Sequence, residues 1–347
     1  MTMFKRLNPL LIGGLAAFCL SGTPALAKVE ILFNVITPPT HVINAGILQP
    51  LFDEVKAKTE GRVVFNVAPN SLAPPPRQLD AVNTGIADGA FVFNPFIQKR
   101  VPFLGVSLLP LVGNTGEARA VALWRVYQKY YKDSADFGGA HVLGFFGGPS
   151  LDTFFSLNDQ PITSMASLAG KKLWSTPATA ADALGRLGLK VVTGPTVRAY
   201  EIVSSGTVDA IGGLSFHEVD TFKLLQFTKS ASIVPGGIAG STFTVMVSKA
   251  KWDSIPAADQ KIMMDVFGEN LARRSVAWDK AMEASKKVFE KEPGRTVQVV
   301  GGDLMETLRT AWAPMQGDWV KEVSGLKADG QAALKFYIDQ VTALDKR

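Results

Sequence analysis

The sequence predicts an α/β protein in two lobes of similar build, joined by a helix long enough to span both. Three observations carry that reading. The chain has 347 residues, 47% hydrophobic and 19% charged, enough for about two domains that each bury a core. A helix–Gly–strand unit occurs twice: Arg77, Val82, Gly85 and Asp88 recur at one constant offset as Arg198, Val203, Gly206 and Asp209, with Asp80 matched by Glu201. A helical pattern runs over 256–291, which at about 1.5 Å per residue reaches about 50 Å and outruns a single lobe. The same composition excludes a disordered, collagenous or disulfide-stapled chain.

Residues 1–27 have the layout of a secretory signal: Lys5 and Arg6, an apolar stretch over 10–20, then Ala25-Leu26-Ala27 as an A-x-A cleavage site. The stretch is too short to span a bilayer. Phe18 stands where acylation of Cys19 would need a small residue, so cleavage after Ala27 is expected, and it removes the only cysteine. An exported chain without thiols has no disulfide, Cys nucleophile or thiolate metal site. No later apolar run reaches about 18 residues without a charge, so the mature chain is expected to be soluble. The formal charge of +5 comes without a Lys/Arg cluster, which leaves nucleic acid without support as a partner.

Val29, Ile31, Phe33 and Val35 alternate as a first strand, broken at Pro38-Pro39. Ile47, Leu51 and Val55, with Leu48 and Phe52 beside them, make one helix face, and Pro50 kinks that helix or marks its first turn. Val63, Phe65 and Val67 form a second strand before the stiff Pro74-Pro75-Pro76 loop. Each echoed unit then reads as a short helix, a Gly that ends it, and an Asp turn into an apolar strand, 90–93 in the first copy. Residues 242–247 alternate again, and Pro256 opens the long helix, with Ile262/Val266, Phe267/Leu271 and Trp278/Met282 as i,i+4 pairs. Glu292-Pro293-Gly294 ends it; a short strand at 297–300 and amphipathic helices close the chain.

Catalytic motifs are missing. The chain has no phosphate-binding loop, no G-x-G-x-x-G, no H-E-x-x-H and no G-x-S-x-G; Gly213-Leu214-Ser215-Phe216-His217 comes nearest, with His in place of the last Gly. His41, His141 and His217 are the only histidines and none is paired at i,i+3 or i,i+4, so a zinc site would need distant segments to converge. His41 follows the first strand, where ligands sit in open α/β sheets.

Residues 36–60 (ITPPTHVINAGILQPLFDEVKAKTE), the GRVVFNVAPNSL that follows, 85–93, LAGKKL at 168–173, the Val208-Asp209 turn and 242–271 together resemble the extracytoplasmic solute-binding subunits of TRAP transporters, the DctP-like family. The order and spacing hold over nearly the whole mature chain. The resemblance implies a two-lobed periplasmic binding protein fold with a long helix spanning both lobes. It also implies a small-molecule ligand in the cleft, a membrane permease driven by an ion gradient as partner, and neither cofactor nor catalysis. The lobes would comprise 28–150 with 240–275, and 151–239 with 276–347, in a protein expected to be monomeric.

The departures from the family pattern bear on the ligand. The resemblance implies an Arg shortly after the G-x-K motif, whose planar fork pairs with a substrate carboxylate; here that position is Trp174. A second Arg position falls on Asp152 within LDTFFS, an Asn position falls on Gly213, an acidic pair before Arg77 is Pro75-Pro76, and an acidic strand-end position is Phe93. An aromatic and a carboxylate in place of two cations suit an amine or a zwitterion. Trp174 and Asp152 are therefore the expected anchors, with His41, Phe91, Phe93, Phe154 and Phe216 as cleft groups. Arg77 and Arg198 either re-anchor a carboxylate or make structural ion pairs; Tyr200 and His217 complete the candidates. The rivals are a carboxylate binder with a nonstandard anchor, an exported hydrolase, and a receptor that feeds a sensor kinase.

Overall fold

A computed structural model describes residues 28–158 and 160–346; the expected signal at 1–27 lies outside them. In chain order the first lobe is built from β1 (Val29–Asn34), α1 (Gln49–Lys58), β2 (Val63–Val67), α2 (Gln78–Asn83), β3 (Gly89–Phe93), α3 (Gly116–Val126) and β4 (His141–Leu151). Asp152 alone separates β4 from β5 (Thr153–Ser156), which opens the second lobe. There follow α4 (Met165–Leu168), β6 (Lys172–Ser175), α5 (Thr179–Gly185), β7 (Lys190–Thr193), α6 (Ala199–Ser204), β8 (Ala210–Leu214), α7 (Phe216–Thr221) and β9 (Ser230–Ile233). β10 (Ala239–Val247) returns to the first lobe, followed by α8 (Lys249–Asp253), α9 (Ala257–Val266), α10 (Gly268–Arg273) and α11 (Val276–Lys291). β11 (Thr296–Val299), α12 (Gly302–Trp312), α13 (Pro314–Glu322) and α14 (Gly330–Asp345) complete the chain.

The sheets share one plan. The first runs β2-β1-β3-β10-β4 and the second β7-β6-β8-β5-β9-β11. In each, three parallel strands are followed by one antiparallel strand, β10 or β5, contributed by the segment that crosses between lobes. The repeated unit of the sequence is the center of that plan. Asp88 donates its backbone N–H to Leu32 O and accepts the Leu32 N–H on its carboxylate, which ties the turn before β3 to β1. Asp209 makes the same pair of bonds to Lys172, tying the turn before β8 to β6. Gly85 and Gly206 precede these turns at φ 77° and 70°, a backbone state that glycine enters without steric cost.

Alternation places Ile31 and Phe33 of β1 and Val63 and Phe65 of β2 in the first-lobe core, against Leu51, Phe52 and Val55 of α1. Pro50 lies in the first turn of α1, where no intrahelical N–H is required. A wider π-helical stretch, Ile43–Leu48, runs directly into it. A second core around Phe155, Trp174, Phe216 and Phe289 belongs to the second lobe. A third, with Phe103, Phe145, Phe154, Leu184, Trp312 and Tyr337, joins both lobes behind the crossing strands.

Two expectations need correction. The helical run over 256–291 spans the lobes as three segments, not one rod: Phe267 leaves helical geometry (φ −82°, ψ −113°), Gly268 has φ 42°, and the chain restarts after Ser275. The break lets α10 lie close on β4, where a side chain at Gly144 would press on Gly268 O at 3.0 Å. It also sets Ser275 Oγ to accept Gly147 N–H at 2.8 Å. The C-terminal helices, assigned by sequence to the second lobe, strap both lobes together. Trp312 Nε1 donates to Ala183 O in the second lobe and Trp319 Nε1 to Pro102 O in the first, while α14 runs along α3 and Asp345 accepts Asn114 N–H. Their apolar faces complete the shared third core, so they cannot belong to one lobe alone.

Candidate functional site

The carboxyl ends of the parallel strands of both sheets face each other across a small, tight cavity of about 70 Å³. From the first lobe come Ile36, Thr37 and His41 beyond β1, and Phe93 and Phe96 at the end of β3. The second lobe contributes Thr176 beyond β6, Pro195 to Val197 beyond β7, Leu214 at the end of β8, and Glu218 and Phe222 beyond it. Leu151 at the end of β4, Ser241 and Phe243 of β10, and Trp278 of α11 close the base where the chain crosses. This is where connecting loops of open α/β sheets leave room for ligands.

The walls are aromatic. Phe243 lies 4.9 Å from Phe93 and 5.6 Å from Trp278, ring to ring. His41 meets Trp278 edge-on at 5.3 Å and reaches across the cleft to His217 at 5.2 Å. Ile43 N–H donates to His41 Nδ1 at 3.1 Å, so the proton of the neutral ring resides on Nε2. Burial, with His217 adding to it, holds His41 down at about 3. His217 is lowered for the same desolvation reason, against Asp220, and its Nε2 lies 3.3 Å from Thr221 Oγ1.

Glu218 is 7% exposed and stands in the first turn of α7. Burial pushes its carboxyl up to about 7, against hydrogen bonds from Ser215 Oγ and from the backbone N–H groups of Glu218 and Ser215. Among the described residues no Lys or Arg lines the cavity. Thr37 Oγ1, Thr176 Oγ1 and Trp278 Nε1 are buried without a partner. Among the described residues no three His, Cys, Asp or Glu converge as a metal site.

Of the residues singled out from sequence, His41 and Phe93 line this cavity and His217 adjoins it through His41. Trp174 is fully buried in the second-lobe core with its Nε1 unpaired. Asp152 lies on the link between the lobes, accepts from Thr153 Oγ1 at 2.7 Å, and is pushed up to about 6 by burial; it is outside the lining. Phe91, Phe154 and Phe216 are core residues, in the first-lobe, shared and second-lobe cores respectively. Gly213, at φ 80°, serves the turn out of β8. Arg77 and Arg198 are exposed and pair with Asp80 at 2.7 Å and Glu201 at 2.8 Å, so of their two sequence readings the structure shows the ion pairs. Tyr200 is exposed beside Phe227. The sequence reading missed Thr37, Thr176, Glu218, Phe222, Phe243 and Trp278. Thr37, Thr176 and Glu218 follow the ends of parallel strands, the signal that had pointed to His41.

Residues 33–320 match the family described as DctP, bacterial extracellular solute-binding protein family 7. A curated relative, the outer membrane transporter protein TsaT of Comamonas testosteroni, is 30% identical over 90% of this chain and 92% of its own. A TRAP periplasmic solute-binding protein from Bordetella bronchiseptica, solved with (R)- and (S)-mandelate, is 26% identical over 91% of this chain and all of that one, with a TM-score of 0.86. A TRAP solute-binding protein from Rhodoferax ferrireducens in complex with benzoate shares the fold at a TM-score of 0.81 and 21% identity, over 92% of this chain and 99% of that one. The two-lobed fold is shared with these receptors, and the chain belongs to the DctP family of TRAP-transporter solute-binding proteins, which bind small ligands and work with membrane permease subunits.

Proposed function

We propose that this protein captures a small aromatic solute in the periplasm, after cleavage behind Ala27, and delivers it to its permease. The observation that carries the reading is the wall of the cavity: Phe93, Phe96, Phe222, Phe243 and Trp278 surround a space into which, among the described residues, no cationic side chain reaches. Such walls match a flat ring, since offset and edge-on aromatic contacts add to area burial. The mandelate held by the Bordetella relative supports the same class. Ligand touching both lobes favours the closed arrangement by population shift, with Asp152 and 234–238 as the crossing links.

The test is a thermal-shift screen of the mature chain with mandelate, benzoate, benzylamine, succinate, malate and glucose. At about a hundred times Kd, a ligand specific to the folded state adds about 2.7 kcal/mol, which reads as a rise of several degrees. Aromatic compounds are expected to raise the midpoint. Stabilisation by succinate or malate with none by the aromatics would overturn the reading.

A further inference from the structure

The cavity's polar groups include buried donors that have no partner. Trp278 Nε1 can only donate, Thr37 and Thr176 carry hydroxyls with no partner, and His41 keeps its proton on Nε2 because Nδ1 is taken by Ile43 N–H. Buried donors left unpaired are costly, so the cavity is best completed by a ligand that brings acceptors. A carboxylate would be such a ligand, yet the one ionisable acid in the lining is Glu218 and no Lys or Arg stands beside it. Two negative charges in a low-dielectric cavity repel strongly; an acid and a carboxylate sharing one proton do not.

The surroundings of Glu218 favour its acid form. Burial raises it, and Asp152, on the link between β4 and β5, raises it further. His41 from the first lobe is held neutral by burial, as is His217 on the same helix as Glu218. Asp220, also on α7, accepts from Ser285 Oγ. From α11, Lys286 and Glu283 act on Asp152 with opposite signs. None of these supplies a fixed positive charge to Glu218.

Resting on the aromatic-solute reading, we propose that Glu218 is a specificity-determining residue that meets the ligand's head group as a neutral hydrogen-bond donor. Trp278, Thr37 and Thr176 complete the donor set, and an aromatic carboxylate enters the cleft together with one proton. Binding then weakens about tenfold for each pH unit above the point where free Glu218 ionises, because the ligand must re-protonate it.

The experiment measures Kd for benzoate and mandelate by titration calorimetry from pH 6 to pH 9, in buffers of different ionisation enthalpy, with benzyl alcohol and benzylamine as neutral and cationic counterparts. Wild type is expected to lose benzoate affinity about tenfold per unit above about pH 7, taking up close to one proton per ligand at pH 8. Glu218→Gln, which keeps a donor and removes the titration, is expected to bind benzoate within a few-fold of the pH 6 wild type and with a flat profile. A thermal midpoint at pH 8 no lower than wild type shows that the variant is folded. A flat wild-type profile, or an unchanged slope in Glu218→Gln, overturns the role of Glu218 and leaves the aromatic reading standing. Preference for benzylamine with affinity that rises with pH overturns it differently, by making Glu218 a counter-charge. Failure of every aromatic probe to bind overturns both.

Discussion

Trp174 and Trp278 are both almost wholly buried and both carry an unpaired Nε1, yet only Trp278 lines the cavity. Trp174 lies on β6 among Phe155, Val203 and Phe216. Trp174→Phe should therefore lower stability by about 1–2 kcal/mol through lost volume and leave ligand affinity alone. Trp278→Phe should weaken binding. Denaturant melts and calorimetry on both variants check this, and a loss of affinity in Trp174→Phe with unchanged stability would contradict it. Sequence could not separate the two. Trp278 and Met282 sit four apart on a helix, which reads as core packing, and the floor of an apolar cleft is an apolar interface by the same pattern. His41 and Phe93 were legible because position at a strand's end, not side-chain type, marks where a cleft lies.

Among the elements, the crossing segments depend on one guanidinium. Arg119 of α3 is fully buried and uses all its donors: Nε to Ser150 Oγ, one terminal nitrogen to Ser107 O and Leu109 O, the other to Gly113 O and Gly236 O. It fastens the end of β4 to the return link before β10. Arg119→Met would leave Ser107 O, Leu109 O and Gly236 O without these bonds, Gly113 O keeping only Ser150 Oγ, and should cost about 3 kcal/mol or more. Arg119→Lys should recover only part, since an ammonium has three donors and no planar fork. Gly240→Ala should be as damaging, because its Cβ would collide with Ser107 O and the Arg119 guanidinium. Midpoints of urea unfolding read all three; a neutral Gly240→Ala would show that β10 can move away. The twin helix–Gly–strand units were legible because Asp88 and Asp209 do local work on neighbouring strands. The breaks at Phe267–Gly268 and Ser275 were not, because they answer to β4, distant in sequence.

Across the whole molecule, buried acids and buried histidines set opposing responses to pH. Burial raises Asp152 and Asp279 to about 6 and Glu218 to about 7. Each such acid holds its proton in the folded state after the unfolded chain has released it. Its contribution is present below about pH 4 and lost as pH rises through the folded value. Burial lowers His41 to about 3 and His141 to about 4, and lowers His217 as well. The unfolded chain binds those protons first, so this contribution is present above about pH 6.5 and lost as pH falls through the folded values. From about pH 4.5 to 6 the three acids and the imidazoles of His41 and His141 work against each other, with His217 on the imidazoles' side, and the unfolding free energy should change little. Below pH 4 the histidines are joined by Glu54 and Glu269, held low by Lys58 and Arg125, and stability should drop steeply. Above about pH 6.5 Glu218 loses its folded-state proton, which should lower the stability of the wild type by about 1 kcal/mol by pH 8 relative to a chain without that carboxyl, while the last unfolded histidine protons leave and work the other way in both. Glu218→Gln should lack that Glu218 contribution, so the wild-type curve should fall relative to the variant between pH 6.5 and pH 8, and leave the acid limb in place. Urea unfolding of both proteins at half-unit steps from pH 3 to pH 9 measures the two limbs. Curves for the two proteins that run parallel above pH 6.5 would place the titrating group elsewhere and remove the buried proton from the cleft.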